Sequence, residues 1–176
     1  MKQAPISVNG CHWALAVIKF PKRKVLYYDS GGGDGKTCFK LLEWFLKAQA
    51  KRWGASVPEG FNADEWSALL DLDGSWGFER VGTPMQRNCL DCGPFTLGFA
   101  SYITKCIEEH FPFSQDDITA IRKRITYDLM YAMRELQIVV DGTSHDTLHT
   151  THQRAARRLL GNFGFILTQR SKAPKH

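Results

Sequence analysis

The chain contains 176 residues, of which 43% are hydrophobic and 12% aromatic, so it is long enough for one compact domain and too short for two. Its net charge of +5 hides an acidic middle, because residues 61–120 carry three Lys and Arg against ten Asp and Glu. This separation of the basic segments disfavours a nucleic-acid-binding protein. No apolar run reaches about 18 residues and no N-terminal apolar stretch precedes a cleavage site, which disfavours membrane-spanning and secreted proteins.

The cysteines indicate a reducing environment. There are five, at positions 11, 38, 89, 92 and 106. The number is odd, and the cysteines are too few for a disulfide scaffold. We therefore expect free thiols and a location in the nucleus or the cytoplasm.

The first predicted element is a β-hairpin. Residues 14–20 form a short apolar run typical of a buried strand, and residues 25–28 form a second strand after a polar turn. If these strands pair antiparallel, their outer ends meet, which brings His12 and Asp29 close together.

A helix is predicted after the hairpin, from an N-cap at Thr37 to about Arg52, with Gly54 at its end. Residues 55–75 include a short helix, and residues 75–81 are a candidate strand. The apolar face of the first helix is predicted to consist of Leu42, Phe45 and Leu46.

The clearest helix signal begins at Cys92. Its apolar residues recur at helical spacing and form one stripe, made of Phe95, Phe99, Tyr102, Ile103, Cys106 and Ile107. Ser114 and Asp117 then form a capping box that opens a further helix to about Leu136. Its inward residues are predicted to be Ile118, Ile121, Ile125, Leu129 and Met133.

The order of these elements predicts an α+β fold, because strands and helices occur in separate runs. Beyond residue 140 the chain is polar. We therefore expect a domain over residues 1–140, followed by a polar linker and a basic segment over residues 141–176.

Four residues predict an acyl-transfer site. Cys92 stands at a predicted helix start, where free N–H groups and the helix dipole favour a thiolate. His12 is a candidate base, and Asp29 can orient its imidazole. Gln86 can donate its amide to a developing oxyanion beside the N–H of Cys92.

These residues lie in the motifs HWAL (12–15), YDS (28–30) and QRNCLDCG (86–93), in the order His, Asp, Gln, Cys. Together with DITAIRKR (117–124), the motifs resemble the ubiquitin-like-protein-specific cysteine proteases, which are the SUMO and NEDD8 proteases related to adenoviral endopeptidase. The similarity covers about residues 7–136. It implies a papain-like α+β fold with a small, mostly antiparallel sheet packed against helices.

The resemblance also implies the role of each residue. His12 is the base, Asp29 its partner, Gln86 the oxyanion donor and Cys92 the nucleophile, while Trp13 covers the channel for the Gly-Gly tail of the substrate. The implied function is a thiol protease that cleaves after the C-terminal Gly-Gly of a ubiquitin-like modifier and needs no cofactor.

The implied partners are SUMO, NEDD8 or ubiquitin and their conjugates, with SUMO favoured. Cleavage processes precursors or breaks isopeptide bonds. A deubiquitinase or deneddylase on the same scaffold, and a catalytically weak module that only binds such modifiers, are the alternatives. Family members carry further elements before the histidine, so we expect an incomplete N-terminal part of the domain and uncovered apolar surface.

Other readings of the cysteines are weaker. Cys89 and Cys92 form a C-x-x-C pair, which His149 and His152 complete to four zinc ligands. However, 56 residues separate Cys92 from His149, so we expect no metal. Cys89 either traps an oxidised Cys92 as a disulfide or is a buried small residue, and the second is favoured. The remaining three cysteines are predicted to be small hydrophobic residues.

Overall fold

The computed structural model describes residues 1–54, 56–57, 61–70 and 75–142. Within these residues a four-stranded sheet is formed by β1 (Lys2–Val8), β2 (His12–Lys19), β3 (Lys24–Tyr28) and β4 (Gly77–Arg80), in that spatial order. β1–β2 and β2–β3 pair antiparallel, whereas β4 runs parallel to β3. The α+β class and the mostly antiparallel sheet are confirmed.

β2 and β3 form the predicted hairpin. Leu15 pairs with Tyr28 at its open end, and Lys19 pairs with Lys24 at its closed end. The turn is a 3₁₀ helix over Phe20–Lys22, and Arg23 takes a left-handed conformation with φ 48°. Residues 14–18 are all buried, which matches the prediction of an apolar strand.

β1 was not predicted from the sequence. Its edge position explains why the strand includes Pro5, which lies opposite Leu15. Proline lacks an N–H donor and is therefore confined in sheets largely to edge strands. The apolar alternation of this segment is also weak, so the strand depends on its pairing with β2.

Four α-helices occur in the described residues: α1 (Lys36–Trp53), α2 (Ala63–Leu70), α3 (Cys92–Ile103) and α4 (Ile118–Gly142). The sheet separates two apolar clusters. On one face α3 covers alternate strand residues, and the cluster includes Leu15, Val17, Tyr28, Phe95, Phe99 and Ile103. On the other face α1 and α2 cover the remaining strand residues, and the cluster includes Ala16, Ile18, Val25, Leu46, Trp66 and Trp76.

The start of α1 differs from the prediction. The N-cap is Gly35, with φ 66°, rather than Thr37, and no side chain caps the helix. A Cβ at Gly35 would lie 2.6 Å from the Tyr27 ring, so close packing on the sheet selects glycine here. On the predicted apolar face, Leu46 is buried, but Phe45 is 49% exposed.

The ends of the later helices also differ. α3 ends at Ile103, and Cys106 lies beyond it, exposed and with φ 63°. Along α4, Ile118 is buried and Ile121 packs against the core. The two residues further along that were predicted to face inward, Leu129 and Met133, are 48% and 69% exposed. The apolar stripe of α4 therefore extends beyond its contact with the described part of the domain.

No helix among the described residues is both long enough and apolar enough to cross a membrane. α4 continues through Gly142, two residues past the predicted domain boundary. The predicted linker and basic segment, including His149 and His152, lie outside the described residues from position 143 onward.

Candidate active site

Three elements of the fold carry the predicted His12, Asp29 and Cys92. His12 is the first residue of β2, Asp29 directly follows β3, and Cys92 is the first residue of α3. α3 packs against β2, and the side chain of Gln3 donates to the carbonyl of Ala100 near the opposite end of β2. The first turn of α3 therefore points toward the end of the sheet that carries His12.

The loop before α3 is attached to the end of β3. The Thr83 hydroxyl donates to the Asp29 carbonyl (2.9 Å), and the backbone N–H of Gln86 donates to the Ser30 carbonyl (3.0 Å). These bonds hold the segment that leads to Cys92 against the residues that follow the hairpin.

His12 and Asp29 form a close polar contact in the site. Nε2 of His12 lies 2.6 Å from Oδ1 of Asp29, and the Asp29 side chain is only 2% exposed. An ionised carboxylate can only accept hydrogen bonds, so the ring nitrogen that faces it, Nε2, is the one that carries a proton. Nδ1 is then the unprotonated nitrogen that can act as a base.

Asp29 is held by three further donors. The backbone N–H of Gly31 donates to Oδ1 (2.7 Å), while the N–H of Gly33 (3.1 Å) and the hydroxyl of Tyr27 (3.3 Å) donate to Oδ2. Burial, together with the negative charge of Asp29, raises the pKa of Tyr27 above its usual range, so its hydroxyl remains a donor. These contacts orient the carboxylate toward His12.

Gly31 and Gly33 approach this pair closely. A Cβ at Gly31 would lie 2.9 Å from Cε1 of His12, and a Cβ at Gly33 would lie 2.5 Å from Oδ2 of Asp29. The space around the His12–Asp29 pair therefore depends on the absence of side chains at these two positions.

Cys92 is buried, and it begins α3 as predicted. Asp91, the N-cap residue, makes no side-chain hydrogen bond to the helix. Phe95 donates to the Asp91 carbonyl (3.0 Å), whereas no acceptor contacts the N–H groups of Cys92 and Gly93 within the described residues. A helix start of this kind offers hydrogen-bond donors to a negative charge.

Gln86 lies in the loop before α3. Its Oε1 accepts from the Ser30 hydroxyl (2.7 Å), and its Nε2 donates to the Asn88 carbonyl. Since an amide nitrogen has two N–H groups, one remains for another acceptor. The two bonds fix the orientation of the predicted donor.

Sequence analysis missed the residues that hold the loop before Cys92. The Asp91 carboxylate accepts from Arg122, Asn88 and Gln115, and these bonds lower its pKa, with Arg122 as the largest cause. No local pattern indicates the pair, because Asp91 and Arg122 are 31 residues apart. The capping box at Ser114, which was predicted and is present, sets the start of the segment that carries Arg122.

Trp13 and the other four cysteines differ from one another in solvent exposure. Trp13 is 46% exposed beside His12, which leaves its indole free to contact a ligand. Cys89 is exposed, so the favoured interpretation as a buried residue is wrong. Cys11 and Cys106 are exposed too, whereas burial raises the pKa of Cys38 to about 11. No group of three or more potential metal ligands occurs among the described residues.

The arrangement suits thiol chemistry with an imidazole base. It offers an oriented His12–Asp29 pair, a cysteine at a helix start and N–H donors next to that cysteine. These are the components that nucleophilic attack on a carbonyl carbon needs.

A family model described as the C-terminal catalytic domain of the Ulp1 protease family matches residues 3–136. Sentrin-specific protease 5 of Mus musculus is 29% identical over 118 residues, which cover 67% of this chain and 14% of that protein. Sentrin-specific protease 3 of Homo sapiens is 25% identical over 121 residues, which cover 68% and 18%. The chain thus spans less than a fifth of the length of these curated relatives.

Among solved structures, the chain is similar to the C-terminal Ulp1 protease domain in complex with Smt3, the yeast ortholog of SUMO. The two are 22% identical, with a TM-score of 0.45, and the match covers 68% of this chain and 47% of that chain. A structure of Ulp1 whose catalytic cysteine is oxidised to a sulfenic acid matches with 22% identity and a TM-score of 0.46, over 70% and 49%.

Proposed function

The chain belongs to the Ulp1 protease family, and from this premise we propose that it is a thiol protease that cleaves after the C-terminal Gly-Gly of a ubiquitin-like modifier. SUMO is the favoured modifier, since the matched relatives are named sentrin-specific proteases. The substrates are precursors of the modifier and its isopeptide-linked conjugates. The 2.6 Å contact between His12 and Asp29, at the end of the sheet toward which the first turn of α3 points, is the observation that carries the proposal.

The proposed reaction begins with proton transfer. Nε2–H of His12 donates to Asp29, so Nδ1 takes the proton of the Cys92 thiol. The thiolate attacks the carbonyl carbon of the terminal glycine, and the leaving amine takes the proton from Nδ1. A thioester with Cys92 results, and water, activated by the same nitrogen, hydrolyses it to the free modifier and the thiol.

Two donors stabilise the negative charge that develops on the carbonyl oxygen. One is the N–H of Cys92 at the start of α3, and the other is the free N–H of the Gln86 side chain. Donors that are already oriented before the reaction need no rearrangement in the transition state. Ser30 and Asn88 provide this orientation for Gln86.

Trp13 covers the channel that holds the Gly-Gly tail in this proposal. Its exposed indole adjoins His12 in the chain, and a diglycine passes under an aromatic ring without obstruction by side chains. Specificity for the two glycines then follows from the narrowness of the channel.

The proposal is tested by incubating the chain with SUMO, NEDD8 and ubiquitin probes that carry an electrophile in place of the C-terminal carboxylate. We expect a covalent adduct with the SUMO probe, located at Cys92 by mass spectrometry. Cys92→Ser should form no adduct, whereas Cys89→Ser, which changes an exposed neighbouring thiol, should react like the parent.

Other outcomes of this experiment contradict parts of the proposal. An adduct with NEDD8 or ubiquitin alone would reject SUMO as the substrate and favour a deneddylase or deubiquitinase. Binding of a modifier without an adduct at Cys92 would reject the protease function and favour a binding module.

A further inference from the structure

The Asp91 carboxylate, which immediately precedes Cys92, is bound by groups outside α3. Its Oδ1 accepts from Nη2 (2.6 Å) and Nε (3.2 Å) of Arg122. Its Oδ2 accepts from Nε2 of Gln115 (2.6 Å) and Nδ2 of Asn88 (2.7 Å). Asp91 is 7% exposed, so these contacts replace water around a charged group.

These contacts keep Asp91 from its usual role at a helix start. An aspartate at the N-cap position normally accepts from the N–H groups of the first turn. Asp91 makes no such bond, and the N–H groups of Cys92 and Gly93 have no acceptor within the described residues. The N–H of Cys92 is the group that an oxyanion requires in the proposed reaction.

Arg122 is the member of this cluster that connects it to another helix. It lies on α4, and its Nη2 also donates to the Leu90 carbonyl (2.9 Å), two residues before Cys92. Capping of α3 and pairing with Arg122 compete for Oδ1 of Asp91, while Gln115 and Asn88 bind Oδ2. The pairing with Arg122 therefore helps to keep the first turn of α3 open to a ligand.

We propose that Arg122 is a positioning residue for the thiol reaction, which holds the Asp91 carboxylate away from the first turn of α3 and compensates its charge beside Cys92. This inference rests on the proposed function. Through the 2.6 Å ion pair between Arg122 and Asp91, the inference gives α4 a role in the chemistry of Cys92, which lies on α3.

The charged groups around Asp91 and Arg122 determine what a change at Arg122 should do. Of the described residues that contact the Asp91 carboxylate, Arg122 alone is charged, since Asn88 and Gln115 are neutral amides. Asp116, on the segment next to Gln115, is paired with Arg87. On the side of the sheet, His12 and Asp29 pair with each other.

Replacement of Arg122 by methionine leaves the charge of Asp91, the residue that precedes Cys92, without a compensating cation. It also frees Oδ1 of Asp91 to cap α3, while Asn88 and Gln115 still bind Oδ2. A negative charge near a thiol disfavours the thiolate, and a rise of about one unit in the pKa of the thiol lowers the thiolate fraction about tenfold below that pKa. Capping would in addition occupy the oxyanion donor.

The test is the rate of alkylation of Cys92 by iodoacetamide between pH 5 and pH 10, followed by mass spectrometry on the whole chain. Arg122→Met should move the midpoint of this profile up by about one pH unit. The double variant Arg122→Met/Asp91→Asn should restore the parent midpoint, because the neutral amide leaves no charge to compensate. Arg124→Met is the control, since Arg124 is 75% exposed and pairs with Asp128.

A second measurement follows the reaction with the modifier probe. Arg122→Met should react at least tenfold more slowly than the parent, and Arg124→Met at the parent rate. Far-UV circular dichroism checks the fold of each variant. If Arg122→Met does not fold, Arg122→Gln keeps a donor for Asp91 without the charge and should show the same shift.

An unchanged alkylation midpoint in the folded Arg122 variants would overturn the inference, as would failure of Asp91→Asn to reverse the shift. The alkylation profile does not require protease activity. A parent chain that reacts with no modifier probe would therefore reject the proposed function, while the iodoacetamide profiles would still decide the role of Arg122.

Discussion

Nε2 of His12 lies 2.6 Å from Oδ1 of Asp29, although 17 residues separate them in the chain. The contact results from the register of the β2–β3 hairpin, in which Leu15 pairs with Tyr28 and the chain ends beyond this pair meet. Because Nε2 faces Asp29, only Nδ1 remains to accept a proton from a thiol. The hairpin thus decides which ring nitrogen is available for chemistry.

Replacement of Asp29 by asparagine should remove this selection. The asparagine amide can donate to Nε2, which favours the tautomer with the proton on Nδ1, and we expect kcat to fall by about 10⁴ as in the serine triad. The measurement is cleavage of a SUMO precursor. Asp34→Asn is the control, because Asp34 lies in the same loop and is exposed. Equal rates for the parent and Asp29→Asn would reject the role assigned to Asp29.

Gly33→Ala should disturb the site by steric contact. Its Cβ would lie 2.5 Å from Oδ2 of Asp29, so the carboxylate or the loop must move. Since a displacement of about 1 Å can cost a factor of about 10² in rate, we expect a loss of about this size in kcat. Gly82→Ala provides the matched control, because a Cβ there meets no atom within 4 Å. Full activity of Gly33→Ala would show that the loop accommodates the methyl group.

Gln86→Ala should lower kcat by about 10²–10³, which is the effect of removing one oxyanion donor. KM for the modifier should change little, because the lost bond forms in the transition state. Ser30→Ala, which removes one of the bonds that orient Gln86, should have a smaller effect in the same direction. A loss confined to KM would instead assign Gln86 to substrate binding.

The five cysteines should differ in their rates of alkylation at pH 7. Cys92 should react fastest, since it lies at a helix start, where free N–H groups and the helix dipole favour a thiolate. Cys38 should react slowest, because burial raises its pKa to about 11 and leaves only about one thiolate in 10⁴ at pH 7. Mass spectrometry after a short exposure to iodoacetamide measures the order. Uniform labelling of all five would contradict it.

The Asp91 cluster should make stability depend on pH. Hydrogen bonds from Arg122, Gln115 and Asn88 lower the pKa of Asp91, so its contribution is complete above about pH 4, the ordinary value for an unfolded chain. It is lost as the pH falls through the lower pKa of the folded state. The difference in unfolding free energy between the parent and Asp91→Asn should therefore shrink from pH 6 to pH 3.

Urea denaturation at the two pH values measures this difference. Asp116→Asn is a suitable comparison, because the side chain of Asp116 is 74% exposed and its pairing with Arg87 is solvent-screened. We expect a smaller dependence on pH for that variant. A difference for Asp91→Asn that stayed constant down to pH 3 would argue against an ionised Asp91 as the source of the stability.

The sequence predicted those secondary-structure features that depend on a few neighbouring residues. The apolar run at residues 14–20 and the polar turn after it predicted the hairpin, which in turn placed Asp29 beside His12. The helix start at Cys92 and the capping box at Ser114 were also found, because they depend on residues within one helical turn. The exposure of Phe45 and Met133 was not predictable in this way, since it depends on which distant elements cover a helix face.

The sequence by itself determined the hairpin, the helix that begins at Cys92 and the order of the four candidate site residues, since these depend on short-range spacing. Only the tertiary structure decided that β1 adds to the sheet edge, that β4 runs parallel to β3 and that Arg122 binds Asp91. The physical reason is the same in each case. Each depends on packing that no short stretch of sequence specifies. The β3–β4 pairing and the Arg122–Asp91 contact join segments far apart in the chain, and β1, although adjacent to β2, has a weak apolar alternation and forms through its pairing with β2. Burial of both faces of the sheet fixes the positions of these segments.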